Sequence, residues 1–222
     1  MVIGGNRMRK IVLIIKNSLV YSMIISLYRG YFANRRSKFG YIHPTAFVRL
    51  PAIIKGIENV YLYENTHLLS GSLILSTRAR FVMKKKSGAA EGLTVVTGNH
   101  YSVPGTFFMD IEDNDKPSES DKDVIVEEDV WIASNVTILA GVTIGRGAVL
   151  GAGVVCRKDI PPYSVVLGNP GKVVGFKFTP EEVIEHEKNL YPEAERMTKE
   201  ELEANYQKYF VERMREIKQF LK

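Results

Sequence analysis

Between Val124 and Cys156 an apolar residue recurs every six positions, and this spacing restricts the possible folds more than any other feature of the chain. These residues are Val126, Ile132, Ile138, Ile144, Leu150 and Cys156. A second small apolar residue precedes each of them by two positions, and Asp, Asn or Gly follows three positions later. Residues two apart on a strand face the same side, whereas Asp, Asn and Gly favour turns. The repeat therefore predicts short strands separated by corners.

Stacked units of this kind form a parallel β-helix, the architecture that six-residue repeats indicate. An ordinary parallel sheet would need helical crossovers, and residues 124–160 have no room for one. The residues from Ile42 to Ile54 hold the same spacing earlier in the chain. The register then shifts twice, to the sets that begin at Leu62 and at Met83, which indicates insertions at corners. The early coils are therefore expected to be less regular than the later ones.

The pattern divides the chain of 222 residues into three parts. Residues 1–40 are predicted to form an N-terminal helical segment, residues 41–176 the β-helix, and residues 177–222 a C-terminal helical cap. Residues 101–123 break the repeat with a polar, irregular stretch, which predicts an excursion loop of the kind that is often functional. The expected fold class is mainly β, with a parallel β-helix, an N-terminal helix, one long loop and C-terminal helices.

Composition and charge narrow the function classes. The net charge of +5 is too small to argue for nucleic acid, and no nucleic-acid motif appears. The single cysteine, Cys156, excludes an intrachain disulfide, which is compatible with the cytoplasm. Residues 11–28 are strongly apolar, but Lys16 interrupts them, and a membrane span needs about 20 apolar residues. We expect a helix docked on the coils or on a neighbouring subunit. Peripheral contact with the inner face of the membrane is the alternative.

Two charged stretches are interpreted as structural. The lysine run that begins at Lys84 most simply covers an outward face of the coils. His186 stands between Glu185 and Glu187 on a predicted helix, and this group is expected to lie on a solvated face.

The sequence VWIASNVTILAGVTIGRGAVLGAGVV, with its continuation CRKDIPPYSVVLGNPGKVV, resembles the C-terminal coils of the hexapeptide-repeat acyltransferases. The maltose, galactoside and xenobiotic O-acetyltransferases are the most similar in this segment. The close resemblance covers residues 124–175, and a looser one extends back to about residue 41. It implies left-handed coils with three six-residue sides, acetyl-coenzyme A as co-substrate, and no metal. It also implies a homotrimer with active sites at the subunit interfaces.

His100, in the sequence TGNH, is the candidate general base. An alcohol is a poor nucleophile until its proton is removed, and histidine as a residue type is suited to removing it near neutral pH. The order of coil, histidine, excursion loop and regular repeats resembles the setting of the family's catalytic histidine. Asn99 and His67 are the candidates for contact with the acceptor.

A base is better oriented by a partner on its second nitrogen. We expect Asp110 in the loop to supply it. Glu112, Asp113, Asp115 and a backbone carbonyl are the alternatives.

The cofactor residues follow from the resemblance. Trp131, Ala133 and Ser134 stand in VWIAS, where the galactoside acetyltransferase pattern has VWIGS; the serine and the backbone amides there suit an oxyanion. Trp131 is expected at a subunit interface beside the cofactor. Ala133 replaces the usual glycine, and its methyl is expected to narrow the approach of the pantetheine arm or to require a slightly different backbone.

A second set of cofactor residues lies further along the chain. Gly151 and Ala152 fall in the segment that contacts the cofactor in similar enzymes. Arg157, Lys158 and Lys172 are expected to meet its phosphates.

The leading hypothesis is transfer of an acetyl group from acetyl-coenzyme A to a hydroxyl of a sugar or surface-polysaccharide precursor. N-acetylation of an amino sugar and O-acetylation of serine would use the same base, so the motifs do not separate them. A hydratase resembling the γ-type carbonic anhydrases needs three histidines around zinc, and the chain has four histidines with no close pair near His100. A non-catalytic β-helix scaffold is the non-enzymatic alternative.

Overall fold

The six-residue repeat folds into a three-sided parallel β-helix. The computed structural model describes residues 15–16, 18–112 and 115–222. Each coil contributes one short strand to each of three sheets, which we call A, B and C in the order in which the chain meets them. Five coils are complete, and a sixth is begun by the bridge between Ile144 and Ile160 and by a further strand of sheet B.

The strands are short, and within each sheet they pair in parallel with the strand one coil away, except for the final antiparallel pair of sheet B. Sheet A consists of β1 (Tyr41–Ile42), β4 (Val60–Leu62), β7 (Phe81–Met83), β10 (Val124–Val126) and β13 (Thr143–Ile144). Sheet B consists of β2 (Phe47–Val48), β5 (His67–Leu68), β8 (Gly88–Ala89), β11 (Trp131–Ile132), β14 (Val149–Leu150), β16 (Ser164–Leu167) and β17 (Lys172–Phe176). Sheet C consists of β3 (Ile53–Lys55), β6 (Leu73–Leu75), β9 (Thr94–Val96), β12 (Thr137–Ile138) and β15 (Val155–Cys156).

The predicted apolar positions form the core. Ile42 pairs with Leu62, Leu62 with Met83, and Met83 with Val126, so the predicted register shifts are confirmed. From Leu62 onward the inward residues at these positions are almost fully buried. They form one continuous column along the axis of the β-helix, whose burial is the main stabilising contribution.

The larger insertions between coils lie at one corner, between sheet C and the next strand of sheet A, which we call the C–A corner. Residues 56–59, 76–80 and 97–123 follow β3, β6 and β9 respectively. The corner between sheets B and C, the B–C corner, carries no such insertion. Its turns use positive φ angles, for example at Asn135 and Gly153, as the turn residues predict.

Helix α1 (Leu19–Leu27) leads into a π-helical turn at Tyr28–Phe32. No residue of α1 is buried, so the described helix does not dock its face on the coils of its own chain. The N-terminal segment is attached to the coils just after α1, where the Ala52 amide donates a hydrogen bond to the Gly30 carbonyl over 3.0 Å. Residues 11–14 and 17 of the predicted apolar segment lie outside the described residues. In the part of the chain that the structure describes, we find no helix that is both long and apolar enough to cross a membrane.

The remaining short helices are 3-10 helices or belong to the C-terminal part. Among the described residues, the 3-10 helices include Arg36–Lys38, Ile57–Asn59, Phe108–Asp110, Ser118–Ser120 and Glu193–Glu195. The C-terminal helices are α2 (Pro180–Leu190), α3 (Lys199–Tyr206) and α4 (Met214–Phe220), with a π-helical segment at Gln207–Val211 between the last two. Capping boxes at Thr179 and Thr198 start α2 and α3.

The expectation of a solvated face around His186 is wrong. Glu187 is only 1% exposed. It accepts hydrogen bonds from the Tyr163 hydroxyl at 2.8 Å, from Arg146 Nη1 at 3.0 Å and from the Met197 amide at 2.6 Å. His186 packs beside Tyr163, with 6.0 Å between ring centroids. This face of α2 therefore joins the C-terminal helices to the last coils.

The lysine run lies on an outward face, as the sequence predicts. Lys84 Nζ is 2.8 Å from Glu127 Oε2, and Lys85 Nζ is 3.6 Å from Glu128 Oε1. These carboxylates belong to the next coil, so the lysines pair between coils.

Candidate functional site

His100 lies at the C–A corner, where the long insertion leaves β9. Its exposed imidazole lines a cleft of ≈ 260 Å³ together with Asn99 and Tyr101. The Phe108 ring meets the imidazole edge-on, with 5.7 Å between ring centroids. No hydrogen bond reaches either imidazole nitrogen from the described residues. The imidazole is therefore accessible to a ligand, with one side against the loop.

The loop carboxylates differ in their position relative to this cleft. Asp110 ends the 3-10 helix Phe108–Asp110, is exposed, and does not line the cleft, whereas Glu112 does. Asp115 accepts a hydrogen bond from the Glu112 amide at 3.3 Å, and Asp113 lies outside the described residues. The structure thus brings Glu112, and not Asp110, to the cleft with His100. The orientation of the imidazole by a loop carboxylate stays a prediction.

A charged cluster closes another wall of the His100 cleft. Asp121 Oδ1 is 2.5 Å from Lys116 Nζ, and Asp121 Oδ2 is 3.2 Å from Arg78 Nε. The side chain of Asp121 is only 5% exposed. Sequence reasoning missed this cluster because its members lie on separate segments of the chain.

A second cleft, of ≈ 320 Å³, lies where the last coil meets the C-terminal helices. The predicted phosphate-binding residues Arg157, Lys158 and Lys172 all line it, together with Arg213 and Tyr209. Arg213 Nε is 3.3 Å from Glu216 Oε2. Four cations thus face one cleft, which is the donor set that an anionic ligand with phosphate groups requires. We call it the basic cleft.

Helical spacing in the sequence could have identified Arg213 as a residue of this cleft. Arg213 follows Tyr209 by four residues in the helical segment, and residues four apart share a face.

The two clefts lie along the same corner of the β-helix. His100 follows β9, Arg157 follows β15, and only β12 separates these strands in sheet C. Neighbouring strands are about 4.8 Å apart, so β9 and β15 are about 10 Å apart along the axis of the β-helix.

Another group of predicted cofactor residues lies across sheet C from both clefts. Ser134, Gly151 and Ala152 lie at the B–C corner, which the chain reaches before it enters sheet C. Gly153 and Arg157 are four residues apart, so sheet C separates the two corners by about 13 Å. The structure therefore does not bring Ser134 to His100 within one chain.

Contacts within the chain constrain the B–C corner. The Ala133 amide donates to the Leu150 carbonyl over 2.9 Å, and the Gly153 amide donates to the Ser134 carbonyl over 2.9 Å. A Cβ at Gly151 would collide with the side chain of Leu167. A larger residue at Gly151 would therefore require the Leu167 side chain to move, independently of any ligand.

The outward face of sheet B carries Trp131 and His67. Trp131 is 62% exposed. His67 stacks on Phe47 with 5.4 Å between ring centroids, and its ring covers Gly88. Strand β8 separates β5, with His67, from β11, with Trp131. His67 does not line the His100 cleft.

Cys156 is buried in the core, as its inward repeat position predicts. Burial raises the pKa of its thiol to about 12, so the thiol stays protonated and is a poor nucleophile. Among residues 15–16, 18–112 and 115–222 there is no group of three His, Cys, Asp or Glu side chains that could hold a metal ion.

Comparison with known proteins supports this architecture. Residues 123–158 match a protein-family model described as the bacterial transferase hexapeptide, with six repeats. A search of curated proteins found no match.

Three solved structures have a similar fold. A hexapeptide-repeat acetyltransferase from Vibrio cholerae, complexed with acetyl-coenzyme A, is 20% identical over 73% of this chain and 92% of that chain, with a TM-score of 0.57. A maltose O-acetyltransferase from Clostridium difficile is 23% identical over 74% of this chain and 88% of that chain, with a TM-score of 0.55. A galactoside acetyltransferase in complex with coenzyme A is 18% identical over 80% of this chain and 86% of that chain, with a TM-score of 0.53. The family model and these structures confirm the predicted resemblance to hexapeptide-repeat proteins.

Proposed function

We propose that this protein transfers an acetyl group from acetyl-coenzyme A to a hydroxyl of a sugar or surface-polysaccharide precursor. The observation that carries the proposal is the pairing of two clefts along one corner of the β-helix. One cleft holds an accessible imidazole, and the other, two coils away, holds four cations.

The basic cleft suits the anionic end of coenzyme A. Arg157, Lys158, Lys172 and Arg213 offer charge-assisted hydrogen bonds to phosphate oxygens. Two of the solved structures with a similar fold contain acetyl-coenzyme A or coenzyme A. When bound, acetyl-coenzyme A supplies an acetyl group activated as a thioester.

The His100 cleft suits a sugar acceptor. Tyr101 and Phe108 offer aromatic surfaces, and Asn99 and Glu112 offer polar groups in the same cleft. Small-molecule sites commonly combine such surfaces with a few polar groups that fix orientation. One solved structure with a similar fold is, by name, an acetyltransferase of maltose, and another of galactoside.

In the proposed mechanism, His100 accepts the proton of the acceptor hydroxyl as that oxygen attacks the acetyl carbonyl, and returns a proton to the departing thiolate. A carboxylate from the loop, Asp110 or Glu112, orients the imidazole through its second nitrogen. Ser134 stabilises the oxyanion; the amides of Ala133 and Asn135 on either side of it donate to carbonyls of its own chain.

A complete site requires a second copy of the chain. Ser134, Ala152 and Trp131 lie on the far side of sheet C from His100. A neighbouring subunit that places its B–C corner beside the C–A corner would bring the two halves together. We therefore propose a homotrimer with its active sites at the subunit interfaces.

We also propose that the protein acts in the cytoplasm and contacts the inner face of the membrane through its N-terminal apolar segment. Large apolar side chains of α1, among them Leu19, Met23 and Ile24, are more than half exposed. Exposed apolar surface of this kind can enter the lipid interface. Sedimentation with anionic vesicles should carry down the wild type and leave Ile24→Asp in solution; equal partition of both would contradict membrane contact.

N-acetylation of an amino sugar and O-acetylation of serine remain open because the same base serves all three acceptors. A screen of sugars, amino sugars and serine with radiolabelled acetyl-coenzyme A separates them, with His100→Ala as the blank.

The first test is calorimetric titration with coenzyme A and acetyl-coenzyme A. We expect binding by the wild type and by His100→Ala, because the imidazole lies outside the basic cleft, and loss of acetyl transfer in His100→Ala alone. His43→Ala, at a corner of the first coil and outside both clefts, is the matched control and should transfer normally. Folded wild-type protein that binds neither ligand would overturn the proposal and favour the scaffold.

A further inference from the structure

Asp121 is a buried carboxylate that the proposed mechanism does not use, although it lines the His100 cleft. It binds two cations, Lys116 through Oδ1 and Arg78 through Oδ2. The side chain of Lys116 is also largely buried, at 11% exposed. A buried carboxylate needs such partners, since an unpaired charge in this position would be strongly destabilising.

The three residues of this cluster come from three separate segments. Arg78 lies at the corner between β6 and β7, one coil before His100. Lys116 lies in the returning part of the loop, and Asp121 lies where the loop ends before β10. The carboxylate therefore ties both parts of the loop to the preceding coil.

Asp121 also lies directly against the backbone that leads to His100. A Cβ added at Gly98 would collide with Asp121 Oδ1. Beside this contact, the Lys122 amide donates to the Thr97 carbonyl over 2.9 Å. The start and the end of the long insertion are thus in contact two residues before the imidazole.

We infer that Asp121 is a positioning residue: its carboxylate, held by Arg78 and Lys116, fixes the backbone at Gly98 and thereby the place of His100 in the cleft. The contribution to catalysis rests on the proposed function of His100. The positioning itself is a property of the folded chain and can be measured without any substrate.

Asp123 provides a matched control on the same loop end. Its Oδ2 lies 2.6 Å from Arg80 Nη2, and its side chain is more exposed, at 29%. Asp123 does not line the His100 cleft. Asp123→Asn therefore removes one negative charge and one ion pair close to Asp121 and leaves the contact with Gly98 intact.

The experiment is histidine NMR of the full chain, which has four histidines: His43, His67, His100 and His186. His100→Gln assigns the Cε1–Hε1 signal of His100. In Asp121→Asn we expect this signal to broaden at least twofold or to split, while the other three signals stay in place. Asp123→Asn should leave all four unchanged. An unaltered His100 signal in Asp121→Asn, or an equal change in Asp123→Asn, would overturn the inference.

A milder variant covers the case in which Asp121→Asn fails to fold. Lys116→Met removes only one of the two cations and should perturb the His100 signal alone, by less than in a folded Asp121→Asn. If that signal were unchanged in Lys116→Met, the inference would be rejected.

A kinetic measurement then connects positioning to chemistry, with the acceptor found in the screen. Asp121→Asn is expected to lower kcat by roughly tenfold, because small displacements of a reacting group are costly. The KM for acetyl-coenzyme A and the stoichiometry of coenzyme A binding should not change, since Asp121 lies outside the basic cleft. Failure of the proposed function would instead appear as absent coenzyme A binding, with the NMR result unaffected.

Discussion

At the scale of single residues, the basic cleft contains one cation from the C-terminal helical part of the chain. Arg157 and Lys158 follow the last strand of sheet C, and Lys172 begins β17, but Arg213 comes from the helical segment after α3. The C-terminal helices therefore form part of a wall of this cleft, in addition to covering the last coils.

We predict that Arg213→Gln weakens binding of coenzyme A about tenfold, because a charge-assisted hydrogen bond is lost. Arg215→Gln, two residues further along in α4 and outside the basic cleft, should bind as the wild type does. Calorimetry on both variants measures this. Equal losses in the two variants would indicate a general effect of net charge, and the specific role of Arg213 would be wrong.

Residue positions that depend on the repeat could be predicted from the sequence, and positions that depend on distant contacts could not. Cys156 is buried because its place in the six-residue spacing points inward. Glu187 is buried because Tyr163 and Arg146, 24 and 41 residues away, bind it. Local spacing contains no information on such pairs. A charged residue between polar neighbours is therefore predicted to be solvated, even where a distant partner buries it.

At the scale of elements, the strands could be predicted from the sequence, whereas the structure of the loop could not. The strands follow from the apolar spacing, and the register shifts at Leu62 and Met83 were visible as breaks in it. The inner structure of residues 101–123 was not predictable, because no period constrains it. The contact between Thr97 and Lys122 closes this insertion at its base.

We predict that the loop can be removed without unfolding the coils. Replacement of residues 101–119 by a short Gly-Ser linker should preserve the β-helix, because the ends of the insertion already meet and closing a short loop costs little entropy. Circular dichroism and coenzyme A binding should resemble the wild type, while acetyl transfer is lost with the cleft. Full transfer by this variant would show that the loop has no part in the site.

The attachment of α2 to the coils gives a second prediction at this scale. Glu187→Gln should lower the free energy of unfolding by about 2 kcal/mol, since it removes the buried carboxylate that Tyr163, Arg146 and the Met197 amide bind. Arg146 keeps its second ion pair, with Glu128 at 3.3 Å. Urea unfolding measures this. Glu185→Gln is the control: its pair with Lys188 is exposed, so little change is expected. Similar stability of the two variants would contradict the importance of the buried contact.

At the scale of the whole molecule, each chain carries the residues of the proposed site on opposite edges of sheet C. His100 and the basic cleft lie at one edge, and Ser134 with Ala152 at the other. Trp131 adds a large exposed apolar surface beside the second edge. Tryptophan is enriched at interfaces between chains.

We therefore predict a trimer in solution, with Trp131 at its interface. Light scattering should give three times the 25.0 kDa mass of one chain. Trp131→Glu should dissociate the trimer, because it places a charge in a desolvated interface. A wild-type monomer at working concentration would exclude a site shared between subunits.

Because the two clefts are stacked along one corner, the distance between them determines the length of a molecule that can bind in both. Their separation is a whole number of coils, so it can change only in increments of about 4.8 Å. Under the proposed function, the β-helix thus holds the cations that bind the donor at a fixed distance from the imidazole that activates the acceptor. Adaptation to a longer or shorter donor would then require the gain or loss of an entire coil, which no single substitution provides.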